Sequence, residues 1–166
     1  MPHGKAKIIL GIDPGIADTG YGVISASGNK LTMIDCGSIK TDKSLALPER
    51  LLQLQQQLSE IIEKYQPDTA VIEQLFFCNN AKTALIVGQA RGVVLLTAHN
   101  AKLKILELTP LQVKQGLTGY GGADKKQMQQ MVKVILNLKT VPKPDDAADA
   151  LAMAICGSSM NDYNIS

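Results

Sequence analysis

The spacing of apolar residues changes abruptly after the third apolar segment, and this change restricts the fold more than any other feature of the sequence. Apolar segments over 7–13, 19–26 and 31–41 predict three strands, whose short connections are typical of an antiparallel meander. Apolar residues then recur every three or four positions over 47–65, with Gln and Glu between them. That period predicts an amphipathic helix packed on the sheet.

The rest of the chain alternates between the two periods. A fourth strand is predicted over 69–74 and a fifth over 104–108, separated by a long helix over about 82–99 that Asn79 or Asn80 caps. Shorter helices are predicted after Pro110, over 125–138 and over 145–156, with a flexible glycine-rich loop at 119–122 and a loop at 139–144. This order predicts an α/β fold: a five-stranded mixed sheet flanked by helices on both faces.

Length and composition exclude several classes of protein. A chain of 166 residues with 45% hydrophobic residues fits one domain, which we expect over 7–156, with a disordered extension over 1–6 and a polar tail over 157–166. We expect no signal peptide, and no apolar run long enough to span a membrane. Three widely spaced cysteines without a CxxC pair favour reduced thiols in a cytoplasmic protein; they are Cys36, Cys78 and Cys156.

The nearly balanced charge conceals an uneven distribution. The net charge is +2, which by itself argues against a protein that coats nucleic acid. Residues 102–143, however, contain eight lysines and only two acids, so this segment carries +6 and the remainder −4. The lysines form either an ordinary solvated face or a surface that meets phosphate.

Four carboxylates occupy positions where a carboxylate is costly for stability. Asp13 ends an apolar strand and Glu73 interrupts another, while Asp146 and Asp149 lie three residues apart on one face of the Ala-rich last helix. Two Mg²⁺ ions would offset the cost, because Mg²⁺ prefers oxygen ligands. Acids at two strand ends and on a late helix favour metal-dependent phosphoryl transfer.

Each acid also has a simpler interpretation. Asp13 precedes Pro-Gly and would suit a turn. Asp145 and Asp146 would cap the last helix and interact favourably with its dipole. Glu73 would pair with Arg91 or with a lysine.

Six motifs together resemble the RuvC family of Holliday junction resolvases. They span about residues 7–156 in the order GIDPG at 11–15, TGYGVI at 19–24, EQ-x-F at 73–76, GQARG at 88–92, QVKQ at 112–115 and DAADALA at 146–152. The first motif alone would be weak, because actin-like ATPases also have a glycine-rich turn after a first strand. The order and number of the motifs make the resemblance specific.

The resemblance implies a ribonuclease H-like fold and a homodimer that cuts four-way DNA junctions in recombination and repair. It implies an endonuclease dependent on Mg²⁺, with two ions per site once DNA is bound and with Mn²⁺ as a substitute. Its products would carry 5′-phosphate and 3′-hydroxyl ends, and its partners would be the RuvA and RuvB branch-migration proteins. By matched motif, the metal-binding and catalytic acids would be Asp13, Glu73, Asp146 and Asp149.

The resemblance also assigns roles in DNA binding and assembly. Lys114 and Lys125 would contact phosphate near the cut, Lys126 would extend that surface, and Phe76 would stack on or wedge between junction bases; its alternative is a core ring. The helix over 82–99 has more apolar surface than one side of a sheet requires. We therefore expect it to form part of the dimer interface, the alternative being packing within one chain.

Three other functions fit less well. A catalytically weak nucleic-acid-binding module would not need four intact acids. An actin-like nucleotide-binding protein would need a second phosphate loop and a longer chain. A proofreading-type exonuclease normally has an Asp-x-Glu pair on the first strand, whereas this chain has Asp13-Pro14-Gly15.

Overall fold

The computed structural model describes residues 4–74 and 80–160. The strands are β1 (Lys7–Asp13), β2 (Asp18–Ser27), β3 (Lys30–Lys40), β4 (Thr69–Glu73) and β5 (Lys104–Leu108). The helices are α1 (Leu47–Tyr65), α2 (Ala81–Asn100), α3 (Pro110–Thr118), α4 (Lys125–Ile135) and α5 (Asp145–Ser158). The sheet order is β3-β2-β1-β4-β5, with β1, β2 and β3 antiparallel and β4 and β5 parallel to β1. The predicted five-stranded mixed sheet is therefore confirmed.

Helices cover both faces of the sheet, as predicted. Alternate strand residues point to opposite sides. One set packs against α1 and α2 and includes Leu10, Ile12, Ala70 and Ile72. The other packs against α3, α4 and α5 and includes Ile9, Val71 and Leu108.

Two predicted helix ends are wrong by two or three residues. Helix α4 ends at Ile135 instead of 138, because the chain turns at Asn137, whose φ of 52° lies in the left-handed region. Helix α5 continues past 156 to Ser158, and Gly157 is buried where a Cβ would lie 2.3 Å from Val71 Cγ2. The expected polar tail therefore begins after the end of this helix.

Helix α2 corrects the expectation that no apolar run is long enough to cross a membrane. Judged by length and composition alone, this helix is long enough, and with a mean hydropathy of 1.2 apolar enough, to cross a membrane. The helix nevertheless packs on the sheet, where Ala90, Val94 and Ala98 are fully buried. Arg91 in its middle donates a 2.7 Å hydrogen bond to Glu107 on β5. Its composition therefore also fits a helix that packs on the core of a sheet.

Helix α5 lies directly on the backbone of the two central strands. A Cβ at Gly11 of β1 would come within 1.9 Å of the Ala150 carbonyl oxygen, and a Cβ at Gly20 of β2 within 2.0 Å of the Asp146 carbonyl oxygen. The facing side of α5 is largely alanine, and the helix is almost continuously buried from Ala147 to Gly157. The absence of a side chain at these two glycines therefore allows the close distance between helix and sheet.

This contact predicts a severe effect of one added methyl group. Gly11→Ala should lower the free energy of unfolding by about 3 kcal/mol or prevent folding, because the colliding atom is backbone that cannot move aside. Gly4→Ala is the matched control, since no atom lies within 4 Å of its Cβ position. Urea unfolding of both variants in EDTA measures the difference; equal stabilities would contradict the prediction.

Candidate metal centre

Two of the four acids lie side by side at the ends of neighbouring parallel strands. Gly11 of β1 pairs with Val71 of β4, and Asp13 and Glu73 each follow two residues later. Since strand side chains alternate, both acids point to the face that α5 covers. The two carboxyl groups are close enough for protonated Asp13 to donate a hydrogen bond to Glu73.

The first turns of α5 bring the other two acids to the same place. Asp146 lies where α5 crosses Gly20, and Asp149 is three residues further along the same helical face. Carboxylate oxygens of Asp13, Asp146 and Asp149 all lie within 4.8 Å of one another. The predicted acids thus meet at one end of the sheet.

Burial and mutual repulsion oppose ionisation of this cluster. Burial, a hydrogen bond that protonated Asp13 would donate to Glu73 and the nearby carboxylates raise the pKa of Asp13 well above its usual range, although Lys125 partly opposes the shift. Burial and the charge on Asp13 raise the pKa of Asp149 to about 6. The protein therefore folds with acids that an additional positive charge would stabilise.

The donor set fits a hard divalent cation. The cluster offers only oxygen ligands, and its carboxyls are half-buried and crowded together. A cation bound among them would replace the proton that Asp13 retains and reverse the repulsion that raises the pKa values. Acids that served only in a turn or as a helix cap would not need to be crowded together in this way.

The loop that follows Asp13 is held from two sides, which the sequence did not indicate. Gly15 exchanges hydrogen bonds with Thr19, and the Thr41 amide donates to the Ala17 carbonyl at 3.3 Å. The Thr41 hydroxyl donates to the Ile16 carbonyl and accepts from Arg50 Nε at 3.0 Å. The backbone after Asp13 is therefore fixed by side chains from β2, the loop after β3, and α1.

Two lysines line a cleft beside the acids. The cleft has a volume of about 270 Å³ and is lined by residues that include Glu73, Asp149, Lys114 and Lys125. Lys125 Nζ lies 3.0 Å from Asp145 Oδ2 at the rim. Lys126 is exposed and is not among the residues that line the cleft. Phe76 lies outside the described residues.

Parts of two simpler interpretations are wrong, although Asp145 and Asp146 do lie in the first turn of α5, where they interact favourably with its dipole. Asp145 does not cap α5: it is the first helical residue, and Pro144 is the N-cap, without a side-chain capping bond. Asp145 instead pairs with Lys125, which lowers the pKa of the Asp145 carboxyl. Arg91 does not pair with the Glu73 carboxylate, because its guanidinium binds Glu107 and the Glu73 main-chain oxygen.

The five-stranded mixed sheet and the acids at the ends of β1, β4 and α5 define a ribonuclease H-like nuclease. The comparisons with known proteins specify which one. The chain belongs to the family described as crossover junction endodeoxyribonuclease RuvC, whose model matches residues 9–157. The predicted resemblance is confirmed.

Similar proteins share both sequence and structure with this chain. The crossover junction endodeoxyribonuclease RuvC of Alkaliphilus oremlandii is 57% identical over 156 residues, which cover 94% of this chain and 95% of the relative. The solved Thermus thermophilus RuvC in complex with Holliday junction substrate is 34% identical, with a TM-score of 0.86 over 90% of this chain and 92% of that chain. The yeast mitochondrial resolvase Ydc2, 19% identical with a TM-score of 0.68, covers 92% of this chain and 78% of its own and shares the fold.

The raised pKa values predict how stability depends on pH without metal. Asp13 and Asp149 keep protons in the folded protein at pH values where the unfolded chain has lost them, so stability falls as pH rises from about 4 through the folded pKa values of about 6 for Asp149 and about 8 for Asp13. Asp13→Asn should therefore be about 1–2 kcal/mol more stable than the wild type at pH 8 and equal to it near pH 4.

Asp145→Asn is the control for this prediction. Its carboxylate is paired with Lys125 and has a lowered pKa, so the substitution should give no gain at high pH. Urea unfolding in EDTA across this pH range measures all three proteins. If the stability of the wild type rose with pH in parallel with that of Asp13→Asn, the raised pKa assigned to Asp13 would be contradicted.

Proposed function

We propose that this chain resolves four-way DNA junctions by Mg²⁺-dependent hydrolysis of the phosphodiester backbone, in homologous recombination and DNA repair. The observation that carries the proposal is a cluster of three carboxylates with Glu73 next to Asp13, beside a lysine-lined cleft, in a chain of the RuvC family. A relative with 34% identity was solved with a Holliday junction substrate. Junction DNA is therefore the substrate that we assign.

The four acids would hold the metal. Asp13 is central to the cluster, since it contacts Glu73 and shares a site with Asp146 and Asp149. We propose that Asp13 binds both Mg²⁺ ions and that the other three acids complete the two sites, with Mn²⁺ as a substitute. When bound, the metal supplies an activated water and stabilises the leaving oxygen. Cleavage would leave a 5′-phosphate and a 3′-hydroxyl.

The lysines of the cleft would receive the phosphate. Lys114 and Lys125 lie on α3 and α4, on opposite sides of the loop at 119–124, and both line the cleft beside Glu73 and Asp149. Their charges would attract the scissile phosphate and offset the negative charge that builds up on it during cleavage. Lys126 would extend the surface beyond the cleft, and Phe76 would contact junction bases.

The exposed face of α2 supports a homodimer. Leu85 and Leu96 are 69% and 61% exposed, and no atom lies within 4 Å of the Cβ positions of Gly88 and Gly92 between them. Small residues at this spacing allow a second helix to approach closely. A two-fold dimer would present one site to each of two opposed strands of a junction.

Two further assignments rest on the family and on the sequence. We propose RuvA and RuvB as partners, because junction cleavage has to be coordinated with branch migration. We also propose a cytoplasmic location, in keeping with the reduced cysteines expected from the sequence.

Replacing the central acid should separate cleavage from binding. Asp13→Asn should reduce cleavage of a synthetic four-way junction in Mg²⁺ by about 10³-fold, because the metal loses a shared ligand worth several kcal/mol in the transition state. Junction affinity measured by fluorescence anisotropy should stay within about twofold, because the phosphate-binding lysines are intact.

Asp145→Asn is the matched control for cleavage, since it removes an exposed acid one position before Asp146. It should keep most of the wild-type rate. Cleavage by the wild type in EDTA, or by Asp13→Asn at the wild-type rate, would exclude the metal assignment.

A charge on the exposed face of α2 should break the dimer. Leu85→Asp should convert the protein to monomer at micromolar concentration, because it buries a carboxylate against its symmetry mate. Val134→Asp is the control, since Val134 is equally exposed at 69% but lies on α4 beyond the other face of the sheet. Sedimentation velocity distinguishes the two; a wild-type monomer would exclude the dimer.

A further inference from the structure

An aromatic and an aliphatic side chain are exposed beside the cleft. Tyr120, in the loop after α3, is 63% exposed, and Leu111, in the first turn of α3, is 54% exposed. Gly121 lies between them, because a Cβ there would come within 2.8 Å of Leu111 Cδ1. Together Leu111, Tyr120 and Gly121 form a small apolar surface, called here the rim patch.

The tyrosine ring has a defined position although it is exposed. A Cβ at Gly122 would lie 2.5 Å from the Tyr120 hydroxyl oxygen and 2.6 Å from Cζ, so the phenol end of the ring covers this glycine. The Tyr120 amide donates a 3.1 Å hydrogen bond to Thr118 Oγ1. The ring therefore lies over Gly122 with much of its surface open to solvent.

The rim patch belongs to the two segments that line the cleft. Leu111 follows Pro110 and precedes Lys114 by one helical turn. Pro110 and Lys114 both line the cleft. The loop runs from Tyr120 to Ala123, Asp124 and Lys125, which also line the cleft. The rim patch is therefore next in the chain to residues that line the cleft on both α3 and the loop before α4.

We propose that the rim patch binds an unstacked nucleobase of the DNA strand in the cleft, with Tyr120 as the stacking surface. The inference rests on the proposed function and extends it from phosphate contacts to a base contact. A ring next to lysines is the combination that binds single-stranded nucleic acid, because every base has a π-face and every nucleotide a phosphate. Bases near the exchange point of a four-way junction are the ones that can leave their stacks.

The contact should appear in affinity without altering the dependence on salt. Tyr120→Ala should weaken binding to a four-way junction in Ca²⁺ by at least about fivefold, the lower range for one stacked base, whereas Tyr120→Phe should bind like the wild type. The slope of log affinity against log salt should be unchanged in Tyr120→Ala. Lys114→Ala should reduce that slope by about one, because it removes a phosphate contact.

A second variant displaces the ring without removing it. Gly122→Ala adds a methyl group where the phenol end of Tyr120 lies, and the far end of a side chain can move aside without unfolding the loop. It should weaken binding as Tyr120→Ala does. A junction carrying 2-aminopurine near its centre gives a direct signal, since stacking on the wild-type ring should quench fluorescence that both variants leave bright.

The outcomes separate this inference from the proposed function. If the wild type neither binds nor cuts junctions, the proposed function fails. If the wild type cuts them but Tyr120→Ala matches it in affinity and 2-aminopurine signal, the base contact is excluded and the function stands. A change in affinity together with a reduced salt slope would also exclude stacking.

Discussion

The close contact between α5 and the central strands is the constraint on which the rest of the structure depends. Because Gly11 and Gly20 have no side chains, α5 packs closely on β1 and β2. This packing brings the carboxylates of Asp146 and Asp149 close to that of Asp13 at the end of β1. A larger residue at either glycine would lift the helix and separate the acids. The same contact therefore builds the core and sets the geometry of the site.

This arrangement concentrates charge that the fold alone does not balance. The acids are half-buried and close together, and the pKa values of Asp13 and Asp149 are raised as a result. The loop after Asp13 is nevertheless held by Thr19, Thr41 and Arg50. The site is thus kept in place by hydrogen bonds and packing while its own charges repel, which is the condition in which a divalent cation binds strongly.

Much of the fold follows from local patterns. The bounds predicted for β1, α1 and β5 agree with the structure to the residue, because each has a clear apolar period and a proline, glycine or acid at its end. The cap of α5 was not predictable. Aspartate is a residue type that often caps helices. The Asp145 carboxylate instead pairs with Lys125, which lies twenty positions earlier in the chain and is near only in the folded protein. Nor could spacing connect Thr41 and Arg50 to the loop after Asp13.

The sequence by itself determined the order of strands and helices and the family, and it singled out the four candidate acids, since these are properties of local period and motif. Only the tertiary structure decided that the acids meet, that Lys114 and Lys125 face them across one cleft, and that Lys126 does not line it. It also showed Tyr120 held over Gly122 at the edge of that cleft. The physical reason is that these relations join residues far apart in the chain, whose distances are set by packing rather than by neighbours in sequence.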